Sequence, residues 1–355
     1  MSILRLLIPF FLLASLSGKA QLNVEAHALR GFLLPHRQNM LHLPQGPSNG
    51  LELRFTKQPS KNKAWSQLYQ NPNLGLTIRG FDLANHTILG YGLAVGGIIS
   101  SPVVTQNRFK WNLEMAAGLG FVSKPFDYKG NYQNIAIGSY VNAYIMLGQK
   151  FSYDLSDALE LSTALSFNHL SNAAYSLPNL GLNYSMVSLG IKTKLPPRPS
   201  QVPISDTLSR INGYWDISAS FGVKETFIPR NKKFATYNVS FQKAMGVSKK
   251  SSIAPGIDLF YNSALKPARE VLGDSASGIQ ILQAGVRVAY QLHIDRLAVS
   301  LTQGIYLIDS YKKDGFLYHR AGLRYYLNQH WGMNLSLKTH FFKADFFELG
   351  AAYKF

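Results

Sequence analysis

The chain contains no cysteine. That excludes disulfides and thiolate metal sites as sources of stability. It is short of acid as well: 19 Asp and Glu stand against 36 Lys and Arg, giving a net charge of +17. Charged residues make up only 15% of it. Long apolar runs are missing except at the N-terminus. There Leu6–Leu16 follows Arg5 and precedes Gly18-Lys19-Ala20. The run is shorter than the roughly 20 residues that cross a bilayer as a helix. With small residues at −3 and −1 it reads as a secretory signal peptide over residues 1–20. The histidines His27, His36, His42, His86, His293, His319, His330 and His340 show no metal-ligand spacing and no paired carboxylates, so neither metal nor cofactor is expected.

Aromatics and glycine are plentiful: 19 Tyr, 21 Phe and 29 Gly. The apolar residues alternate. Leu282, Ala284, Val286, Val288, Tyr290, Leu292 and Ile294 are interleaved with Gln283, Arg287, Gln291 and His293. Leu297, Val299, Leu301, Ile305 and Leu307 repeat the pattern, as do Trp331, Met333, Leu335, Leu337 and Phe341. Successive strand residues point to opposite faces, so each segment has one apolar and one polar face. A soluble sandwich shares this feature. Its strands, however, usually run to about 5–6 residues, whereas strands that cross a membrane need about 9–11.

About sixteen candidate strands follow, eight before residue 196 and eight after residue 212, among them 87–99 and 134–150. Pro196, Pro197, Pro199 and Pro203 make 196–212 a linker. The expected fold is all-β: a transmembrane antiparallel up-and-down β-barrel of about 16 strands. The alternative is an 8-stranded barrel plus a second β unit. Residues 21–195 and 213–355 are the two halves. With an even strand count both termini are periplasmic, which makes Lys57–Asn73 an unusually long inner turn. The alternating end Phe347, Leu349, Ala351, Tyr353, Phe355 resembles the terminal insertion signal of bacterial outer-membrane barrels. The expected location is the outer membrane of a Gram-negative cell. The basic charge then suits the anionic lipid of the outer leaflet rather than nucleic acid.

One constellation bears chemistry. Strand 156–171 carries Leu159, Leu161, Thr163, Leu165 and Phe167 on its apolar face, and His169 and Ser171 share that parity. On the next strand Asn183 shares parity with Val187, Leu189 and Ile191. Three polar groups thus meet at one strand end, on the face where polar groups are costly. A His and a Ser two apart on a strand can act as base and nucleophile, with a third group orienting the imidazole. An ordinary polar strand end at the aqueous interface has the same composition.

The segment His169-Leu170-Ser171-Asn172, with Pro178-Asn179-Leu180-Gly181-Leu182-Asn183, resembles the active-site segment of the lipid A 3-O-deacylase (PagL-like) family of outer-membrane barrels, also described as acyloxyacyl hydrolases. Gly118–Asp127 and Asn134–Asn142 are similar as well. The resemblance spans roughly residues 22–195 and implies an ester hydrolase acting on lipid A, the lipid part of lipopolysaccharide. It implies Ser171 as nucleophile, His169 as general base, and Asn179, with Asn172, as oxyanion donors. Where the family carries a glutamate this chain has Asn183, which orients an imidazole but lends it no charge. The rival expectation is a non-enzymatic barrel, porin-like or structural. In it Arg287, Arg320, Arg324 and Lys338 either form a basic lumen or pair with acids inside it.

Overall fold

The computed structural model describes residues 22–59, 63–193, 211–226, 232–271, 273, 281–341 and 343–355. The signal peptide expected over 1–20 lies outside them, as does the linker up to residue 210. Sixteen strands form among the described residues. The first eight are β1 (Leu22–Leu33), β2 (Ser48–Lys57), β3 (Asn73–Asp82), β4 (Tyr91–Gln106), β5 (Phe109–Val122), β6 (Val141–Asp154), β7 (Leu159–Ser171) and β8 (Leu182–Thr193). The second eight are β9 (Tyr214–Glu225), β10 (Lys233–Gly246), β11 (Ser251–Asn262), β12 (Leu282–Ile294), β13 (Leu297–Ile308), β14 (Leu317–Tyr326), β15 (Trp331–His340) and β16 (Lys343–Lys354).

Strand number agrees with the sequence, but a single closure does not. β1–β8 close one barrel and β9–β16 close another. β8 returns to pair with β1, with Val24 opposite Thr193 and Leu33 opposite Tyr184. β16 returns to β9, with Tyr353 opposite Ile217. The architecture is therefore the alternative one, an eight-stranded barrel followed by a second β unit that is itself a barrel. Two strand limits also move. Residues 87–90 and 134–140 are loop, because Asn85 and Asn134 hydrogen-bond local backbone in place of a ladder partner.

Both barrels are inside-out relative to a soluble protein. Leu189 is 66% exposed while Ser188 beside it is 4% exposed. Leu301 and Leu51 also face outward, and Glu25, Glu52, Arg54, Arg79, Glu114 and Lys150 are buried. An apolar outer face around a polar interior suits a barrel surrounded by lipid. Near the inner end an aromatic belt includes Trp111 with Phe151, and Trp215 with Phe241 and the terminal Phe355. Such girdles mark the membrane interface.

An eight-stranded barrel is just wide enough to be filled by side chains, and these two are filled. In the first, Arg54 meets Glu114 at 2.9 Å, Arg79 meets Glu52 at 2.8 Å and Lys150 meets Glu25 at 2.9 Å. In the second, Arg287 and Arg320 share Asp258 at 3.0 and 3.1 Å. Arg320 also binds Glu348 at 2.6 Å, and Arg324 binds Asp216 at 2.8 Å. Lys338 lies 4.3 Å from the Phe260 ring centre and 3.6 Å from Asp345. A cavity beside Arg287, Arg320 and Arg324 measures about 40 Å³, enough for a few waters. The channel reading therefore fails: these cations are paired with acids inside a packed lumen, which is the other outcome the sequence allowed.

The long inner turn between β2 and β3 acquires a reason. It carries a short helix, Ala64–Leu68, and touches the second barrel. Tyr69 donates to the His293 carbonyl at 2.8 Å, and Lys250 lies 5.1 Å from the Tyr69 ring centre. Burial, with Tyr290 nearby, pushes the Tyr69 phenol up to about 12, so it stays a neutral donor.

Candidate active site

β7 and β8 position the site through their register. His169 pairs with Asn183, and Ser171 lies opposite Ala143 of β6. Asn168, the residue before His169, points inward and accepts from Tyr144 at 2.9 Å and from Arg79. Fixing Asn168 inside fixes His169 outside, because alternation leaves no other choice. The three predicted residues converge on the outward face at the outer end of the strands. Ser171 is nonetheless only 5% exposed, since the β7–β8 loop folds over it.

His169 Nε2 lies 2.9 Å from Ser171 Oγ, and His169 Nδ1 lies 2.6 Å from Asn183 Oδ1. The chain then extends to a residue that sequence reasoning passed over. Asn183 Nδ2 is 3.1 Å from His36 Nδ1, and His36 Nε2 is 3.1 Å from the Leu180 carbonyl. That carbonyl only accepts, so it sets the direction of every bond. With its Nε2–H on that carbonyl, His36 accepts at Nδ1 when that nitrogen carries no proton. Asn183 must then present its NH₂ to His36 and its carbonyl to His169. His169 thereby carries its proton on Nδ1 and leaves Nε2 free to accept from the Ser171 hydroxyl. This is the tautomer that general-base attack requires. Nothing in the sequence pairs His36 with Asn183; its place in an outer loop was the one signal available.

The two oxyanion candidates differ. Asn172 Nδ2 donates to Ser139 Oγ at 2.8 Å and to the Ser176 carbonyl at 3.0 Å. Its Oδ1 accepts from the Ser176 N–H at 3.2 Å, so the side chain is spent bracing the loop. Asn179 Oδ1 accepts from the Asn172 N–H at 3.0 Å, which holds its amide against the residue next to Ser171. No described residue takes up the Asn179 NH₂, which leaves it available to a ligand. Gly181 closes the loop at φ +82°, and a Cβ there would fall 2.8 Å from His169 Cε1. Only glycine fits both conditions without displacing the imidazole.

The loop contains a costly element. Ala173 and Ala174, just past Asn172, have φ of +48° and +57°. Left-handed backbone costs a non-glycine residue about 1–2 kcal/mol, and it persists where the surroundings dictate it.

Fold and site together define an outer-membrane β-barrel with a serine–histidine–asparagine chain on its outer rim. A family model described as lipid A 3-O-deacylase (PagL) matches residues 49–192, and one described as acyloxyacyl hydrolase, C-terminal domain, matches residues 213–355. The chain belongs to this PagL family of outer-membrane ester hydrolases. No curated protein matches it in sequence. Among solved structures, Neisserial surface protein A is similar at 13% identity and a TM-score of 0.34, covering 50% of this chain and 100% of its own. The KdgM porin, in complex with disordered oligogalacturonate, is similar at 9% identity and a TM-score of 0.18, covering 94% and 99%. The siderophore receptor PirA from Pseudomonas aeruginosa is similar at 9% identity and 0.23, covering 96% and 81%.

Proposed function

We propose that this chain is an outer-membrane serine esterase that removes an ester-linked acyl chain from lipid A. The observation that carries the reading is the unbroken Ser171–His169–Asn183–His36 chain on a lipid-facing rim. Polar groups on that face are costly unless they serve each other or a ligand.

His169 Nε2 takes the Ser171 proton as Oγ attacks the ester carbonyl carbon. The carbonyl π-bond opens to an oxyanion. Asn179 Nδ2 donates to that oxygen. His169, now cationic, keeps its Nδ1–H on the Asn183 carbonyl. As the tetrahedral intermediate collapses, the C–O bond to the sugar breaks and His169 returns its proton to the leaving alkoxide. Water, deprotonated by His169, then attacks the acyl–serine carbonyl; as the C–Oγ bond breaks, His169 returns that proton to Ser171 Oγ and the fatty acid is freed. His169 and Asn183 share the parity of the outer apolar face, so the acyl chain would approach along that face.

Mass spectrometry of lipid A from cells making this chain tests the reading. The expected spectrum shows loss of one ester-linked acyl group, and lipid A left intact sinks it. Asn179→Ala should lower kcat about 10²–10³-fold with KM little changed, the usual cost of one oxyanion donor. A wild-type kcat in that variant removes Asn179 from the mechanism.

A further inference from the structure

The second barrel takes no part in the chemistry just described, yet its outer rim reaches the loop that builds the site. Glu225 ends β9 on the outward parity of Trp215, Ile217 and Phe221. An acid on a lipid-facing position is unexpected. It is nevertheless only 6% exposed, because the β7–β8 loop of the first barrel covers it. Glu225 Oε2 accepts from the Leu177 N–H at 2.7 Å, and the Glu225 N–H donates to the Ala174 carbonyl at 2.7 Å. Lys233 is its cross-strand partner on β10 and meets Oε1 at 2.8 Å. Lys233 Nζ also donates to the Tyr175 carbonyl and lies 4.1 Å from the Tyr175 ring centre.

These contacts fall on the segment that needs them. Ala173 and Ala174 hold left-handed backbone immediately after Ser171-Asn172. The same loop carries Asn179, whose amide is positioned by the Asn172 N–H. Strained backbone persists where its surroundings over-determine it, and here the second barrel bonds three successive parts of the turn. We infer that the outer rim of the second barrel holds the Asn172–Gly181 loop in its working geometry, with Glu225 as a positioning residue supported by Lys233. The inference rests on the esterase reading for its kinetic consequence, though not for the clamp itself.

Two measurements on the full chain in detergent micelles test it together. In Glu225→Ala, amide hydrogen exchange across Ala173–Leu180 should speed up at least tenfold, while the strands of both barrels exchange as in wild type. Its kcat on lipid A should fall about 10–100-fold with KM nearly unchanged. Glu225→Gln keeps an acceptor for the Leu177 N–H and should recover most of that loss; simple contact between barrels predicts no such split. Should Glu225→Ala fail to fold, Lys233→Ala carries the test, with faster exchange centred on Tyr175 and a smaller drop in kcat. Unchanged loop exchange in a folded variant overturns the clamp, and so does a wild-type kcat. If wild-type protein leaves lipid A intact while loop exchange still rises in the variant, the clamp stands and the esterase reading falls.

Discussion

Ser171→Ala is expected to leave lipid A fully acylated in cells whose wild-type counterpart removes one chain, and His169→Ala is expected to do the same. In the proposed mechanism the two act as one unit: Ser171 Oγ attacks, and His169 Nε2, 2.9 Å away, accepts its proton. Where serine and histidine work as a pair, deleting either costs about as much as deleting both, on the order of 10⁶ in kcat. The residual rate should fall below detection in a whole-cell assay. Both variants should keep the barrel, because the two side chains face outward and carry none of the buried ion pairs that fill the lumen. Heat-modifiable migration on gels checks that. Persistent deacylation in a folded Ser171→Ala protein would place the nucleophile elsewhere.

Asn183→Asp is expected to raise kcat. The present carbonyl accepts from His169 Nδ1 at 2.6 Å, and a carboxylate of the same length makes that bond while adding charge opposite the imidazolium. The converse change in a classical triad, acid to amide, costs about 10⁴ in kcat, chiefly through the wrong tautomer. Here His36 already selects the tautomer by dictating which way the Asn183 amide points. The gain should therefore be smaller than that figure, about 10-fold or more. The same logic gives a non-additive pair. His36→Ala frees the Asn183 amide to turn and should lower kcat about tenfold. In the Asn183→Asp background the two carboxylate oxygens are equivalent, nothing remains to orient, and His36→Ala should cost little. A double-mutant cycle measures the coupling. Equal costs of His36→Ala in both backgrounds would show that His36 does not orient Asn183.

The two-barrel architecture bears on how this family site is stabilised. Few hydrogen bonds within the β7–β8 loop hold it alone. Asn172 uses Ser139 and Ser176, and Ser176 Oγ donates to the Gly138 carbonyl at 2.7 Å. The Gly181 N–H adds a bond to the Ala136 carbonyl and His36 one to the Leu180 carbonyl, and β9 and β10, far along the chain, contribute Glu225 and Lys233. A short loop carrying strained backbone beside the proposed nucleophile gains from an outside support that chemistry does not disturb.

Alternation along the chain determined which residues face lipid and which fill the lumen. This holds because side-chain direction in a strand has a period of two whatever its neighbours are. The same rule placed His169, Ser171 and Asn183 on one face, and they meet there. The number of strands was legible for the same reason. Closure was not. Alternation is identical whether β8 pairs with β9 or returns to β1, so one barrel of sixteen and two of eight are the same pattern in sequence. Which edge a strand finds depends on backbone hydrogen bonds between residues such as Val24 and Thr193. The fate of the interior arginines followed from that closure, since only a narrow barrel brings Asp258, Asp216 and Glu348 onto them. The partners of the site were likewise decided in three dimensions. His36 reaches Asn183 across 147 residues, and Glu225 reaches Leu177 across 48. Both lie where a loop folds over a strand end, and no strand period carries the contact of a loop with a distant strand.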